Sequence, residues 1–397
     1  SEVQSLEYPT NYWIGTKLWA EIQKREQFLS FRIQNSSNQT PMADNQRRIS
    51  RIQHPASKAR PFIIPIFIPH AGCPHQCVFC NQSSITATHS RPASKDARRQ
   101  IETFLIFRHK QRRYTQIAFF GGNFLGIQTR TIRRLLTVAT EYVTAGQADS
   151  IRFSTRPDTV NPQRLAAIKA FPITTVELGV QSMDDRVLER SNRGHTAADT
   201  VKAVQLLREH KYEVGVQMMV GLPGDDVQRL RASARRIARL KPDFMRIYPT
   251  VVLAGSPLAT GYQKEDYVPL SLAEAVRQVK DLYLYFKNKS IAVIRMGLQA
   301  TEAFTDAATL LAGPYHPAFG HMVHSEIFLD MAVAQLDSLN STGKIIRLHV
   351  HPRSVSKMRG TENRNIQTLC EKFDLQSIEI IPDTGLDDDQ LTVTVRP

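Results

Sequence analysis

The clearest candidates for chemistry are three cysteines with the spacing C-x3-C-x2-C, at Cys73, Cys77 and Cys80. Thiolates bind soft metals, so the group suits either zinc or an iron–sulfur cluster. A structural zinc site would need a fourth ligand, such as His75 or His89, and plain packing of the thiols is the other alternative. Three thiolates on a [4Fe–4S] cluster leave one iron open, and reactive metal sites require an open position. The remaining cysteine, Cys370, is far away in the sequence, and we expect a packed thiol there.

Composition excludes several classes of protein. The chain has 397 residues, a formal net charge of +14 and 42% hydrophobic residues, which is not the composition of a disordered chain. Four cysteines are too few for a disulfide-stapled secreted scaffold. Apolar stretches stay well below the ~20 residues of a membrane helix, and no signal peptide is recognisable. We therefore expect a cytoplasmic protein with no membrane contact, whose basic surface favours phosphate-rich partners.

Apolar, strand-like runs alternate with amphipathic helical stretches from residue 61 onward. The predicted strands lie at 62–69, 116–120, 151–154, 175–180, 214–220 and 244–248. The predicted helices lie at 94–108, 129–145, 161–170, 184–209, 226–240 and 271–288. This alternation predicts an α/β fold with a partial (β/α)6 barrel, two units short of a complete barrel. Functional residues are expected where the strands end, because that edge carries the sites of such folds.

The sequence divides into four segments. Residues 1–60 form a polar, basic extension; the part before Met42 is a tag, an upstream mistranslation or a real extension, and we assign it no function. Residues 61–300 form the barrel, and residues 301–341 connect it to the last segment. Residues 342–397 predict a small β-α-α-β-β module.

The cysteine spacing, placed directly after the first barrel strand, resembles the signature of radical S-adenosylmethionine (SAM) enzymes. Phe79 matches the aromatic residue that lies beside the adenine in that family, and Gly121-Gly122 matches its glycine motif. The resemblance implies that Cys73, Cys77 and Cys80 bind a [4Fe–4S] cluster whose open iron is chelated by SAM. It implies reductive cleavage of SAM to a 5′-deoxyadenosyl radical, which abstracts a hydrogen atom from a substrate. The third residue of that glycine motif is usually Glu or Thr, whereas this chain has Asn123.

Further SAM contacts are implied at the ends of later strands. Arg156 follows the third strand, and Gln181 and Arg193 match the residues that hold the SAM ribose and carboxylate in relatives. Gly221 and Pro223 resemble the turn that supports the adenine. A helix cap or a surface position is the alternative for Arg193. Packing is the alternative for the neighbouring methionines, Met218 and Met219.

Within the superfamily, the chain resembles the Elongator catalytic-subunit group over roughly residues 61–300. The matching segments are Val-Glu-Leu-Gly-Val-Gln-Ser at 176–182, Asn-Arg-Gly-His-Thr at 192–196, Gly-Leu-Pro-Gly at 221–224 and Arg-Ile-Tyr-Pro-Thr at 246–250. That group modifies wobble uridine in tRNA with the help of an acetyltransferase domain. No acetyl-CoA-binding glycine loop is recognisable after Gln299, so carboxymethylation is not implied.

The sequence alone does not identify the substrate. Tyr248 and His316 are the candidate catalytic residues, with core packing and a rigid loop as their respective alternatives. The 342–397 module resembles a KH-type RNA-binding fold whose loop, Gly360-Thr-Glu-Asn363, lacks the second glycine. The expected partners are tRNA and an electron donor such as flavodoxin or ferredoxin. Two further possibilities remain: a small-molecule oxidoreductase similar to oxygen-independent coproporphyrinogen oxidase, and a non-catalytic iron–sulfur or RNA-binding protein.

Overall fold

A computed structural model describes residues 61–68, 72–81, 94–106, 114–299, 304, 306–339 and 341–396. The predicted N-terminal extension, His89 and a few residues of the 301–341 connection lie outside these ranges. Within them, no helix combines the length and apolar character needed to cross a membrane.

The six predicted strands are confirmed, and they form one parallel sheet with a seventh strand. The strands are β1 (Phe62–Phe67), β2 (Thr115–Phe120), β3 (Ser150–Thr155), β4 (Ile173–Gln181), β5 (Glu213–Val220), β6 (Phe244–Pro249) and β8 (Ala292–Met296). They follow one another across the sheet in chain order, with β1 and β8 at its edges. The result is a curled half-barrel, as the partial (β/α)6 prediction expected, and β8 is the strand that the prediction did not include.

The helices that cover the sheet lie close to their predicted positions. They are α1 (Ser94–Ile106), α2 (Thr129–Thr144), α3 (Pro162–Ile168), α4 (Asp185–Arg190), α5 (Ala197–Glu209), α6 (Val227–Arg239) and α8 (Leu272–Asn288). A short helix before α8, α7 (Pro257–Gln263), was not predicted. The one long helix predicted over 184–209 is two helices, α4 and α5. They are separated by a turn in which Asn192 and Gly194 have φ values of +49° and +64°. A left-handed backbone at two positions cannot continue a helix.

The barrel core is built between the sheet and its helices. Phe124, in a short helical turn after β2, stacks between Phe119 and Phe153 with ring centroids 4.9 and 4.8 Å away. All three rings are fully buried. Phe124 follows the glycine turn after β2, so its burial fixes the segment that runs from the strand end to α2.

The C-terminal module has the predicted β-α-α-β-β order: β10 (Ile345–Val350), α10 (Val355–Arg359), α11 (Arg364–Phe373), β11 (Ser377–Pro382) and β12 (Leu391–Val395). Its central strand β10 pairs in parallel with β11 and antiparallel with β12. A two-stranded ribbon of β7 (Val252–Leu253) and β9 (Leu310–Ala312) lies between barrel and module in the sequence.

One helix, α9 (Phe319–Leu336), joins the barrel to the module. Its first half contributes Phe319 and Val323 to the barrel core. Its second half contributes Phe328, Ala332 and Leu336 to the module core, where they pack with the inner residues of β10. The module is therefore anchored by apolar packing on a helix that the barrel also holds.

Removal of the Phe328 ring tests that anchorage. Phe328 is 2% exposed, so Phe328→Ala should lower the free energy of unfolding by about 3–5 kcal/mol through lost burial and a residual cavity. Phe328→Leu, which keeps most of the volume, is the control and should lose much less. Denaturant titration of both variants gives the two values. Equal, small losses would contradict the assignment of Phe328 to the module core.

Candidate metal and cofactor site

The cysteine segment, residues 72–81, contains neither helix nor strand, so other parts of the chain must hold it in place. Gly72 begins it with φ +76°, and a Cβ at this position would lie 2.3 Å from the backbone oxygen of Asn123. The same imagined Cβ would lie 2.6 Å from backbone atoms of Gly126 and Ile127. Only glycine permits so close an approach of two backbones. The segment is therefore packed directly on the turn after β2.

Asn123 ties three strand ends together with one buried amide. Its Nδ2 donates to the carbonyl oxygen of Gly72 at 2.8 Å. Its Oδ1 accepts from the Thr155 hydroxyl at 2.7 Å, the Thr159 hydroxyl at 2.9 Å and the Arg156 backbone N–H at 3.1 Å. The sequence placed Asn123 at a variable position of the glycine motif and assigned no role to its side chain. The structure gives that side chain a positioning role, because it joins the cysteine segment to the end of β3.

The turn between α4 and α5 holds the other side of the cysteine segment. Asn192 Nδ2 donates to the Gln76 carbonyl at 2.8 Å, and the Val78 N–H donates to the Ser191 carbonyl at 3.1 Å. Gly194 lies so close to the His75 ring that a Cβ would come within 2.2 Å of it. The turn and the cysteine segment therefore fit against each other through backbone and ring contacts.

Arg193, in the same turn, points into the centre of the site. Its Nη1 donates to Cys77 Sγ at 2.9 Å, and its Nη2 donates to the Gly179 carbonyl at 2.5 Å. Arg193 is 5% exposed, which rules out the surface position considered for it. Arg156 lies beside it, donates to the Arg193 carbonyl oxygen and forms an ion pair with Asp158, with Nε and Oδ1 2.9 Å apart.

The two arginines act on the thiols electrostatically. Burial raises the pKa of Cys73 and the nearby Cys77 adds to that rise, whereas Arg156 and Arg193 oppose it. A thiolate must form before a metal binds, and adjacent guanidinium groups favour it. Arg156, Arg193, Cys73 and Cys77 therefore form one electrostatically coupled group.

The end of β4 is irregular at the point where it meets these arginines. The register of β4 against β5 shifts between Gly179 and Gln181, and Gln181 adopts φ +68°. Such a bulge re-aims a side chain, and a strained non-glycine backbone often marks a functional site. Three buried atoms here have no hydrogen-bond partner among the described residues: Gln181 Oε1, Arg156 Nη1 and Arg193 Nε. Two cationic donors beside an acceptor fit a ligand with a carboxylate and hydroxyl groups, as SAM has.

The three residues differ in exposure: Cys77 is buried, Cys80 is half-buried, and Cys73 keeps exposed surface although the surrounding protein desolvates its thiol. No group of three or more His, Cys, Asp or Glu side chains in the described ranges is arranged around a single ion. A [4Fe–4S] cluster binds each thiolate through a different iron, so the size of the cluster sets the thiolate spacing. Three thiols on one segment, with Cys370 in another module, suit a cluster that keeps one iron open.

Comparison with known proteins decides the family. The model of the radical SAM superfamily matches residues 67–237, which contain Cys73, Cys77 and Cys80 and the residues that hold the cysteine segment in place. The chain belongs to the radical SAM superfamily. A radical SAM C-terminal domain matches residues 242–329, which run from the end of α6 into α9. Radical SAM enzymes use a [4Fe–4S] cluster and SAM, and the donor sets found here fit both.

The similar proteins are of the Elongator type. A tRNA uridine(34) acetyltransferase of Methanocaldococcus jannaschii is 35% identical over 125 residues, which are 31% of this chain and 23% of that protein. Elongator complex protein 3 of Drosophila melanogaster is 27% identical over 259 residues, covering 53% and 47% of the two chains. The chain thus spans a quarter to a half of the length of these relatives. The solved structure of Methanocaldococcus infernus Elp3 aligns with TM-score 0.55, 19% identity and coverage of 68% and 63%, which shows a shared fold.

An apolar wall lines the radical SAM site beyond the cysteines. Phe79 packs in one cluster with Met219, Leu222 and Tyr248. Gly221, with φ +76°, accepts a hydrogen bond from the Tyr267 hydroxyl at 2.7 Å through its carbonyl. The structure thus brings the predicted residues Phe79 and Tyr248 together, with the turn that contains Pro223 beside them. Gly121 and Gly122 lie half-buried directly after β2.

His316, the other predicted catalytic residue, forms its hydrogen bonds to described residues at the start of α9 and not at the cysteine segment. Its Nδ1 accepts from the Ala318 N–H at 3.0 Å, and its carbonyl accepts from the Phe319 N–H at 3.0 Å. Both bonds shape the start of α9. No hydrogen bond within the described ranges links His316 to the cysteine segment, so its catalytic role stays a prediction.

His195 is a site residue that the sequence did not single out. It is 6% exposed, and its pKa is lowered to about 4 by burial first and by the nearby Arg193 and Arg156 second. The imidazole is therefore neutral at physiological pH. Its position two residues after Arg193 was the only available signal.

Substitution of Asn123 tests its positioning role. Asn123→Asp removes the donor to the Gly72 carbonyl and places a carboxylate against that oxygen, so the cysteine segment should lose its order. We expect iron and sulfide content after anaerobic reconstitution to fall several-fold. The matched control is Asn161→Asp: Asn161 caps α3 through an accepted bond from the Arg164 N–H, and aspartate caps equally well. Full cluster content in Asn123→Asp would contradict the role.

The pH dependence of stability tests whether the His195 imidazole is neutral and buried in the folded protein. In the unfolded chain its pKa is near 6.5 and in the folded chain about 4, so the unfolded state binds more protons between these values. Stability should therefore fall as pH drops from 7 to 4.5, by up to about 3 kcal/mol from this residue. The apoprotein of His195→Gln should show a shallower fall in denaturant titrations at several pH values. Parallel profiles for the two proteins would rule out the neutral buried imidazole.

Proposed function

We propose that the protein cleaves SAM reductively and abstracts a hydrogen atom from a nucleoside in RNA, most simply a tRNA. The observation that carries the choice of RNA is a group of three exposed arginines in the first turns of α2, called here the arginine rim: Arg130, Arg133 and Arg134. The names of the relatives, which refer to tRNA uridine(34), agree with this choice.

The chemistry follows from the cofactors, and the chain's residues serve it by position. One electron from the bound cluster breaks a carbon–sulfur bond of SAM, giving methionine and a 5′-deoxyadenosyl radical that takes a hydrogen atom from the substrate. We assign Arg193 and Arg156 to the SAM carboxylate, Gln181 to its ribose, and Phe79, Gly221 and Pro223 to its adenine. Gly121 and Gly122 present backbone to the amino group, and Cys73, Cys77 and Cys80 hold the cluster.

Buried groups around the thiols favour this use of the site. The guanidinium atoms of Arg156 and Arg193 without partners are costly to leave unpaired in a protein interior. An anionic ligand repays that cost, and the anion must lie near Cys77 because Arg193 already touches its sulfur. Tyr248 packs with Phe79 and therefore borders the space where a substrate would meet SAM.

The arginine rim lies at the mouth of the barrel. Helix α2 begins at Thr129, directly after the Gly126–Ile127 backbone on which Gly72 packs. The rim arginines with Thr129, Thr137 and Val138 line an open cavity of about 490 Å³. No acidic residue lies in the first turn of α2. Exposed cations grouped on one helix attract a polyanion and orient it toward the site.

In the C-terminal module, carboxylates lie next to several of the basic side chains. Arg347 pairs with Glu379, with Nε and Oε2 2.8 Å apart, and Arg353 lies 3.8 Å from Asp388. The loop between α10 and α11 carries Glu362, and Asn363 takes a left-handed backbone with φ +60° where a KH loop has glycine. A carboxylate in this loop opposes phosphate binding, so we assign the main RNA contact to the rim and a secondary one to the module.

An external electron donor is part of the proposal, because the described chain contains no redox group besides the cluster site. A flavodoxin or a ferredoxin supplies the electron at the required low potential. We place the reaction in the cytoplasm, where thiols stay reduced.

Two measurements test the proposal in sequence. Anaerobically reconstituted protein with dithionite and SAM should produce 5′-deoxyadenosine, and Cys77→Ala should abolish it whereas Cys370→Ala should not. Mass spectrometry of tRNA nucleosides from cells with and without the gene should then differ in at least one nucleoside. An unchanged nucleoside profile with active SAM cleavage would reject the RNA substrate and favour a small molecule.

The arginine rim allows a direct binding test. Arg130→Ala combined with Arg133→Ala should weaken binding of unfractionated tRNA and reduce the slope of log K against log salt by about 1 per lost phosphate contact. The control is Arg231→Ala, because Arg231 pairs with Asp281 at 3.1 Å on another face. An equal effect of both changes would indicate diffuse charge attraction and not a rim contact.

A further inference from the structure

Four neighbouring strands place a polar group on the inner side of the half-barrel, apart from the cysteine segment. Its members are Arg152 on β3, Glu177 on β4, Gln217 on β5 and Arg246 on β6. Gln217 and Arg246 are direct partners in the register of β5 and β6. Since side chains at paired positions point to the same face of a sheet, these two lie side by side.

Glu177 is fully buried at the centre of this group, and donors saturate it. Its Oε1 accepts from Arg152 Nη2 at 2.5 Å and from Arg246 Nη2 at 3.2 Å. Its Oε2 lies 2.7 Å from Arg246 Nε and accepts from Gln217 Nε2 at 3.0 Å. Burial alone would raise the pKa of Glu177, but Arg152 and Arg246 outweigh it and hold the pKa below its usual range. The carboxylate is therefore a fixed acceptor and not a base.

Because Glu177 is held in place, the orientation of the side chains that bind it is determined as well. Two guanidinium groups face one carboxylate, so one positive charge is in excess, and the Arg246 side chain keeps 14% of its surface exposed. A carboxylate only accepts, so Gln217 must turn its Nε2 toward Glu177. Gln217 Oε1 then points away and accepts no hydrogen bond from a described residue. The Arg246 guanidinium, a cationic donor, thus lies beside Gln217 Oε1, an acceptor that no described residue uses.

Aromatic faces border this donor–acceptor pair. The Arg246 guanidinium lies over the Phe120 ring, 5.8 Å from its centroid. Phe67 is the register partner of Phe120 and is 40% exposed, unusual for a phenylalanine at the end of a barrel strand. Tyr248 follows Arg246 on the same face of β6. Flat aromatic walls next to a short polar edge match a flat heterocycle, as in recognition of unpaired bases.

We propose that Arg246 and Gln217 read the edge of one unpaired base that carries a carbonyl beside an N–H, as uracil does. Arg246 donates to the carbonyl oxygen, where its excess charge is best used, and Gln217 Oε1 accepts from the N–H. Glu177 is a positioning residue that orients both. This inference rests on the proposed RNA substrate and adds the specificity residues to it.

The test compares two RNA hairpins that differ by one methyl group. One has uridine at a single loop position, and the other has N3-methyluridine there, which lacks the N–H for Gln217. By fluorescence anisotropy, the wild-type holoenzyme should bind the uridine hairpin about 5- to 100-fold more tightly, the range that corresponds to loss of a base-edge contact. Gln217→Leu should bind both hairpins equally, with an unchanged salt slope. Gln278→Leu, on the outer helix α8, is the control and should discriminate like the wild type.

The outcomes separate this inference from the proposed function. Failure of the wild type to bind either hairpin would reject the RNA substrate itself. Equal binding of both hairpins by the wild type, or full discrimination by Gln217→Leu, would overturn the reading role and leave RNA binding intact. If Gln217→Leu does not fold, Gln217→Asn, which withdraws the amide by one methylene, gives the same comparison.

Discussion

The cysteine segment has no backbone ladder of its own, and the rest of the site depends on how it is held. Ordering an irregular segment costs about 1–2 kcal/mol per residue in backbone entropy. Asn123, after β2, and Asn192 and Arg193, in the turn between α4 and α5, offset this cost with hydrogen bonds from two different units. These bonds are possible because a parallel sheet brings all its strand ends to one edge. The metal site is thus a property of the whole half-barrel and not of the C-x3-C-x2-C motif alone.

The inner side of the half-barrel uses arginine in two opposite ways. Around the thiols, Arg156 and Arg193 retain guanidinium atoms without partners, which leaves positive charge available to a ligand. Deeper in the barrel, Arg152 and Arg246 are bound to Glu177, whose removal would leave two buried cations uncompensated. The first pair keeps buried donors available to a ligand, whereas Glu177 holds the second pair in one orientation. Gly179 lies between them, where a side chain would approach both Gln181 and Arg193.

The sequence predicted the elements well because buried parallel strands are continuous apolar runs, and this pattern holds for β1 to β6. Strand β8 escaped the prediction since Ala292–Met296 lies at the sheet edge, contains Arg295 and is partly exposed. The cysteines were found by their spacing, and Arg193 by its match to a residue of the relatives. The contacts of Asn123 and Glu177 were not, because each joins residues far apart in the chain. Only a register between strands shows that Gln217 faces Arg246.

The net charge of the chain says little about function until the positions of its basic side chains are known. The value of +14 would suit any polyanion, but in the module Arg347 of β10 faces Glu379 of β11, and Arg353 faces Asp388 in the turn before β12. Such surface pairs are weak, about 0–1 kcal/mol each, so they can be exchanged for phosphates at short range. They nevertheless cancel the field beyond a Debye length of about 8 Å. Long-range attraction must therefore come from clustered exposed cations, such as the arginine rim in the first turns of α2, which begins directly after the Gly126–Ile127 backbone on which Gly72 packs. Steering and chemistry then act at the same end of the half-barrel.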